Sequence, residues 1–396
     1  MKVAIVAGEH SGDQLGFKLM RALRKARPGI EFVGVGGEAM AAEGLASFFP
    51  LGEIAVMGIL PVLARLPSLL RRIDETARRI VAERPDGLVI IDSPDFTHRV
   101  ARKVRAALPD LPVVDYVSPS VWAWRPGRAK KMRAYVDCVL ALLPFEPEAH
   151  ARLGGPRCVY VGHPLIERLG QLRPNAAEAR RREASPPVIA VLPGSRRSTI
   201  ARLTADFGGA IALLARELGP LDVVLPTLPH VREEVFARTA GWLTKPRLVL
   251  GEAEKFAAFR TARAALAASG TVTLELALAG VPLVGAYKVS RLEEQLKYFI
   301  KVPSILLPNL ILGDNSIPEF LQRDCTPENL AASLVGLTRA GSARDSQIQA
   351  LARLDALMRL PEGDTPSERA ARIVLEVFAA RQRRAAALSP WLAAAR

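Results

Sequence analysis

The chain has 396 residues, enough at about 100–200 residues per domain for two or three domains with substantial cores. Hydrophobic content of 49% and charged content of 24% exclude a disordered chain, and the longest uncharged stretches, such as 302–313, fall short of the ~18 apolar residues of a membrane-spanning helix. A net charge of +14 predicts polyanionic partners: nucleic acid, anionic headgroups or phosphorylated substrates. Aromatic residues reach only 6%, and no RRM, KH or zinc-finger pattern occurs, so nucleic acid is not the expected partner.

The N-terminal half alternates apolar runs with helical patterns: VAIVAG (3–8), a helix from about Gln14 to Ala26, FVGVGG (32–37), GLVIID (87–92), PVVDYVSP (112–119), CVLALLPF (138–145) and CVYVGHP (158–164). Continuous apolar runs ending in Gly, Pro, Asp or Ser are what parallel strands covered on both faces look like. An Arg-rich, Pro-containing stretch at 168–187 reads as a linker, after which VIAVLPGSR, DVVLP, RLVLG, AALAASGT and PLVGAYKV supply a second parallel sheet. The Ala/Arg/Leu-rich tail reads as closing helices. The expected organisation is therefore two doubly wound, Rossmann-like α/β domains facing a cleft: 1–167, the linker 168–187, 188–326, and C-terminal helices over 327–396. The start of the chain has no long apolar segment or cleavage site, which predicts a cytoplasmic protein. Cys138, Cys158 and Cys325 lie far apart without metal or CxxC spacing, so buried reduced thiols are expected and no metal site.

The first strand runs into Gly8-Glu9-His10-Ser11-Gly12, a strand-to-helix turn able to offer backbone N–H groups to an anion, or simply an ordinary turn capped by Ser11 or Asp13. It is not GxGxxG, which argues against a nicotinamide dehydrogenase. Asp92, in IIDSPDF, ends an apolar strand and suits a general base, although helix capping by Asp92 or Asp95 reads equally naturally. SPSVWAWRPGR gathers Trp122, Trp124, Arg125 and Arg128, residues able to stack on a sugar or pair with phosphate, or to serve as core and solvated surface. His163 sits in GHP at the predicted crossover, as a catalytic or a structural histidine. In the second domain, LPGSR carries Arg196 and SGTVTLE places Ser269, Gly270 and Thr271 at a helix start with Glu275 one turn inside; together they suit a nucleotide diphosphate and a ribose diol. Asn309 falls in a late loop, and PEFLQ, with Gln322, reads as a helix start.

GEHSGDQLG, IIDSPDF, SPSVWAWRPGR, GHP, LPGSR, SGTVTLE, LPNLI and PEFLQ, in this order over 8–322, resemble the lipid-A-disaccharide synthase family. His10 departs from the small residue expected at its place. The resemblance implies a GT-B glycosyltransferase, without cofactor, that joins UDP-2,3-diacylglucosamine to 2,3-diacylglucosamine 1-phosphate with inversion, giving the β-1,6 disaccharide and UDP. By the resemblance Asp92 is the base, Arg196, Ser269, Gly270, Thr271, Glu275, Asn309 and Gln322 hold the donor, and Glu9, Ser11, Trp124, Arg125 and His163 line the acceptor side. It also suggests a homo-oligomer formed through the helical tail. The alternatives are another GT-B transferase or an epimerase using UDP-N-acetylglucosamine, and a basic RNA-binding or membrane-surface scaffold without catalysis.

Over 54–70 the sequence IAVMGILPVLARLPSLL carries a single charge, Arg65, and is followed by an arginine-rich helix. Either the stripe Ile59, Val62, Leu63, Leu66, Leu69, Leu70 and Ile73 is core, or Met57, Ile59 and Leu60 insert into the cytoplasmic face of the inner membrane while arginines meet anionic headgroups.

Overall fold

A computed structural model describes residues 1–54, 65–290, 302–361 and 363–393, with side chains to residue 383 in the last segment. The chain divides into two units, Met1–Pro164 with Leu360–Arg396, and Leu165–Arg359. Unit 1 holds a parallel sheet of β1 (Lys2–Ala7), β2 (Glu31–Val35), β3 (Gly87–Ile91), β4 (Val113–Tyr116), β5 (Cys138–Ala141) and β6 (Arg157–Tyr160), in the order β2-β1-β3-β4-β5-β6. Unit 2 holds β7 (Val188–Leu192), β8 (Asp222–Thr227), β9 (Arg247–Leu250), β10 (Ala264–Ala268), β11 (Leu283–Tyr287) and β12 (Glu319–Leu321), in the order β12-β11-β10-β7-β8-β9.

The apolar runs are strands because helices cover both sheet faces: β3, β5, β7 and β10 are buried at every position. In each unit the strand order reverses once, between β1 and β3 and between β7 and β10. There neighbouring crossovers lie on opposite faces and leave a crevice beyond the carboxyl ends of the strands, where open α/β sheets bind ligands. The glycine turns after β1 and β7, the aspartate after β3 and the SGT turn after β10 all fall at these two points.

Several expectations are corrected. PEFLQ is first a strand: Glu319–Leu321 pairs in parallel with β11, a single 3-10 turn opens only at Gln322, and Asn309 lies not in a loop but in helix Leu307–Leu312. Residues 168–187 are not a bare linker, since Ala176–Glu183 forms a helix whose Asn175 cap accepts from the Ala177 and Glu178 N–H groups. The units part at Pro164 and Leu165. The tail is also shared: helices Pro327–Thr338 and Ser342–Leu357 belong to unit 2, whereas Pro366–Ala393 returns to unit 1 and buries Ala370, Val374 and Phe378 in its core. Gly87 starts β3 because the Phe378 ring fills the space of a side chain, 2.2 Å from where its Cβ would lie.

Of the apolar stripe, 55–64 lies outside the described residues, and with it Met57, Ile59, Leu60, Val62 and Leu63. Within helix Leu66–Glu83, Ile73 is buried while Leu66 and Leu70 are 40% and 42% exposed, so the described part is not one core face. No helix among the described residues is long and apolar enough to cross a membrane.

Candidate functional site

At the unit 1 switch point the turn after β1 packs directly on the end of β3. The Gly8 N–H donates to the Ile91 carbonyl at 3.2 Å, and a Cβ on Gly8 would lie 2.1 Å from that of Ser93. Asp92 and Ser93 both take left-handed backbone conformations, φ 57° and 45°, unusual for residues with side chains and a common mark of functional positions. The carboxylate is held on both sides: Oδ2 accepts from the Ser11 hydroxyl at 2.9 Å and Oδ1 from the Ser93 N–H at 2.7 Å.

The helix-capping alternatives do not describe these residues. Helix Pro94–Ala107 has no side-chain cap, and Asp95 pairs with Arg128 at 2.9 Å. Ser11 serves Asp92. Asp13 is buried and accepts from the Gly37, Ala39 and Met40 N–H groups at 2.7–3.1 Å, holding the next helix rather than its own. Glu9 occupies the N-cap position of helix His10–Ala26 without capping it, and His10 is exposed at its first turn.

The two tryptophans of SPSVWAWR separate in role. Trp122 donates from Nε1 to Glu146 at 3.1 Å and meets the Phe145 ring edge to face, which anchors the loop. Trp124 is half-buried, with the Arg125 guanidinium 5.0 Å from its ring. Beneath them Glu146 also accepts from the Leu143 N–H at 3.0 Å, and burial pushes its carboxyl up to about 7. Ser118 bonds His150 at 2.9 Å in the same buried region. Burial drives His163 down to about 4, so it is neutral at pH 7.

Unit 2 carries a cavity of about 490 Å³ at its switch point, within the size range of small-molecule sites. Gly194, Arg196, Gly270, Thr271, Glu275 and Lys255 are among its lining. Gly194 needs its positive φ of 115°, and a side chain there would meet Thr199 at 2.9 Å. Arg196 is exposed at the start of helix Arg197–Leu218, with no side-chain cap in front of that helix. The turn at 269–271 is set by the Ser269 hydroxyl donating to the Ile305 carbonyl and by Thr273 donating to the Gly270 carbonyl, both at 2.8 Å.

Glu275 is buried, and Lys255 Nζ donates to both its oxygens at 2.9 Å. A carboxylate has about four lone-pair sites, so two acceptors remain for a diol. Lys255 was not legible in the sequence, since EAEKFAAF has no motif and its partner is 20 residues away. Asn309 and Gln322 do not line this cavity. Asn309 ties its helix to the loop that follows, donating to the Ile317 carbonyl at 2.9 Å and accepting from the Ile317 N–H at 3.0 Å, while Gln322 accepts from the Val289 N–H at 2.7 Å.

Solved structures place this architecture in a class. The UDP-GlcNAc 2-epimerase of Neisseria meningitidis, bound to UDP-GlcNAc, superposes with a TM-score of 0.60 at 13% identity, over 96% of this chain and 99% of that one. MurG of Acinetobacter baumannii gives 0.54 at 14% identity over 90% and 99%, and the calicheamicin glycosyltransferase CalG4 gives 0.55 at 16% over 96% and 98%. The fold is the GT-B fold.

The sequence comparisons narrow the class. The family model for lipid-A-disaccharide synthetase matches residues 3–369. The lipid-A-disaccharide synthase of Nitrobacter hamburgensis is 56% identical over 379 residues, covering 95% of this chain and 96% of the relative. That of Rhodospirillum centenum is 45% identical over 385 residues, covering 96% and 95%. The chain belongs to the lipid-A-disaccharide synthase family and is a glycosyltransferase.

Proposed function

We propose that the chain transfers 2,3-diacylglucosamine from UDP to the 6-hydroxyl of 2,3-diacylglucosamine 1-phosphate, with Asp92 as the base that takes the hydroxyl proton. The observation that carries the assignment is the doubly held Asp92 carboxylate on left-handed backbone at the unit 1 switch point. A base must keep one oxygen aimed at the proton it removes, and bonds from Ser11 and Ser93 fix the carboxylate plane while leaving lone pairs open. Displacement by the acceptor oxygen breaks the anomeric C–O bond to UDP and inverts the carbon. The diphosphate that departs needs positive charge and N–H donors. Arg196 and the turn at 269–271 supply these, and Glu275, oriented by Lys255, takes the ribose hydroxyls. Asn309 and Gln322 act on the donor through the loops they brace. Glu9, Ser11, Trp124 and Arg125 face the acceptor, with the Trp124 ring as the stacking surface. His163 joins them on the acceptor side as a neutral imidazole, since burial drives its pKa down to about 4.

Both substrates carry fatty acyl chains, and exposed Leu66 and Leu70 beside exposed Arg71 support peripheral attachment to the cytoplasmic face of the inner membrane, with Met57, Ile59 and Leu60 as the inserting residues. Incubation with the two acylated monosaccharides followed by mass spectrometry tests the function: the disaccharide 1-phosphate and stoichiometric UDP are expected. UDP release from UDP-N-acetylglucosamine, with none from the acylated donor, would favour the UDP-N-acetylglucosamine enzymes instead.

A further inference from the structure

Unit 1 contains a second cavity, of about 920 Å³, enclosed by helices Leu66–Glu83, Pro94–Ala107 and Gly127–Met132. Six cations line it, Arg99, Arg102, Lys103, Arg125, Arg128 and Lys131, against two carboxylates, Asp74 and Asp95. Those carboxylates are already committed, Asp74 to Lys103 and Asp95 to Arg128, each at 2.9 Å. Among the described residues no carboxylate pairs with Arg99, Arg102, Arg125 or Lys131. Arg99 and Arg102 stand at i,i+3 on one helix face, where like charges repel, and Arg125 sits on left-handed backbone at φ 52°. Uncompensated cations gathered in a concave site raise the local anion concentration.

The floor is built rather than incidental. The buried Tyr135 hydroxyl lies 3.2 Å from His98 Nδ1, whose Nε2 lies 3.2 Å from Asp115, and the Arg102 guanidinium stacks 5.3 Å over the Tyr135 ring. The cavity is continuous in sequence with the proposed base: Pro94 and Asp95, the second and third residues after Asp92, line it. Leu70, 42% exposed, also lines the cavity and adds an apolar surface to it.

We propose that this cavity binds the phosphomonoester of the phosphorylated sugar acceptor, with Arg99, Arg102 and Lys131 contacting the phosphate. The inference rests on the transfer reaction proposed above. A monoester near pH 7 carries close to two negative charges and three acceptor oxygens, which matches several unpaired guanidinium and ammonium groups better than the single charge of a bilayer phosphodiester does.

The test uses the full chain and calorimetric titration with short-acyl 2,3-diacylglucosamine 1-phosphate and with the same sugar lacking phosphate. The wild type is expected to bind the phosphorylated sugar at least about tenfold more tightly, as charge-assisted contacts require. Arg102→Gln with Lys131→Gln is expected to abolish that preference while UDP affinity, melting temperature and sedimentation with anionic vesicles stay unchanged. If the double variant does not fold, Arg99→Gln alone gives the same readout. A wild type without the preference, or a variant that keeps it, overturns the proposal. Loss of vesicle binding with the preference retained also overturns it, and assigns the cavity to bilayer headgroups. Because binding is read without turnover, a wild type that discriminates yet releases no UDP faults the catalytic reading and not the cavity.

Discussion

The Ser11 hydroxyl donates to Asp92 at 2.9 Å, joining the turn after β1 to the end of β3 across 81 residues of sequence. The bond couples the orientation of the proposed base to the glycine turn. Ser11→Ala removes it without leaving an apolar clash. Turnover is expected to fall about tenfold, as one lost hydrogen bond to a charged group implies, while the KM for the donor stays constant. Steady-state kinetics with the donor varied separate the two effects, since a Ser11 that served only the fold would move melting temperature and leave kcat alone.

Gly8 is the steric counterpart of that bond. Gly8→Ala drives a methyl to 2.1 Å from the Ser93 Cβ, so the chain carrying Asp92 has to shift. Overpacking of this kind costs about 1–3 kcal/mol, and the displaced carboxylate is expected to lower turnover by more than Ser11→Ala does. Gly52→Ala is the control, because nothing lies within 4 Å of its Cβ position. Thermal unfolding and kcat of the two variants should diverge sharply.

Lys255→Met leaves the Glu275 carboxylate buried without its cation, a change that costs about 3–5 kcal/mol when a buried pair is broken on one side. UDP affinity is expected to drop together with stability. Adding Glu275→Gln to Lys255→Met should recover much of the stability and none of the affinity, since the second change removes the orphaned charge but also the ribose acceptor. Recovery of UDP binding in the double variant would show that Glu275 does not touch the nucleoside.

Glu146 and His163 impose opposite pH dependences on folding. The Glu146 carboxyl, raised from 4.5 to about 7, holds more protons folded than unfolded, so its contribution is lost as pH rises from about 4.5 to 7. His163, lowered from 6.5 to about 4, holds fewer protons folded, so stability rises over about pH 4 to 6.5. The two nearly offset each other in the wild type. In Glu146→Gln the falling contribution disappears, and stability measured by urea unfolding should climb more steeply over this window, by about 3 kcal/mol relative to wild type. Parallel curves for the two proteins would contradict the raised carboxyl.

The parallel strands were legible because burial on both sheet faces leaves a run such as Gly87–Ile91 wholly apolar, and the motifs followed because they end those runs. Composition did not reveal where side chains 20 to 81 residues apart meet, so Lys255 beside Glu275 and Ser11 beside Asp92 emerged only from the fold. Glu319–Leu321 was misread since a three-residue edge strand has no period to display, and Pro318 before an acidic residue mimics a helix start. The cationic cavity was hidden for a related reason: Arg99, Arg102 and Lys131 resemble solvated helix faces until two helices bring them together.

Turnover of Asp92→Asn, measured beside its UDP affinity, separates a carboxylate that takes the acceptor proton from one that only shapes the turn. Asparagine keeps the size and the Ser11 contact but accepts no proton, so the disaccharide-forming rate should fall by about 100-fold or more with UDP affinity and melting temperature unchanged. A variant that retains near-normal turnover would contradict Asp92 as the base.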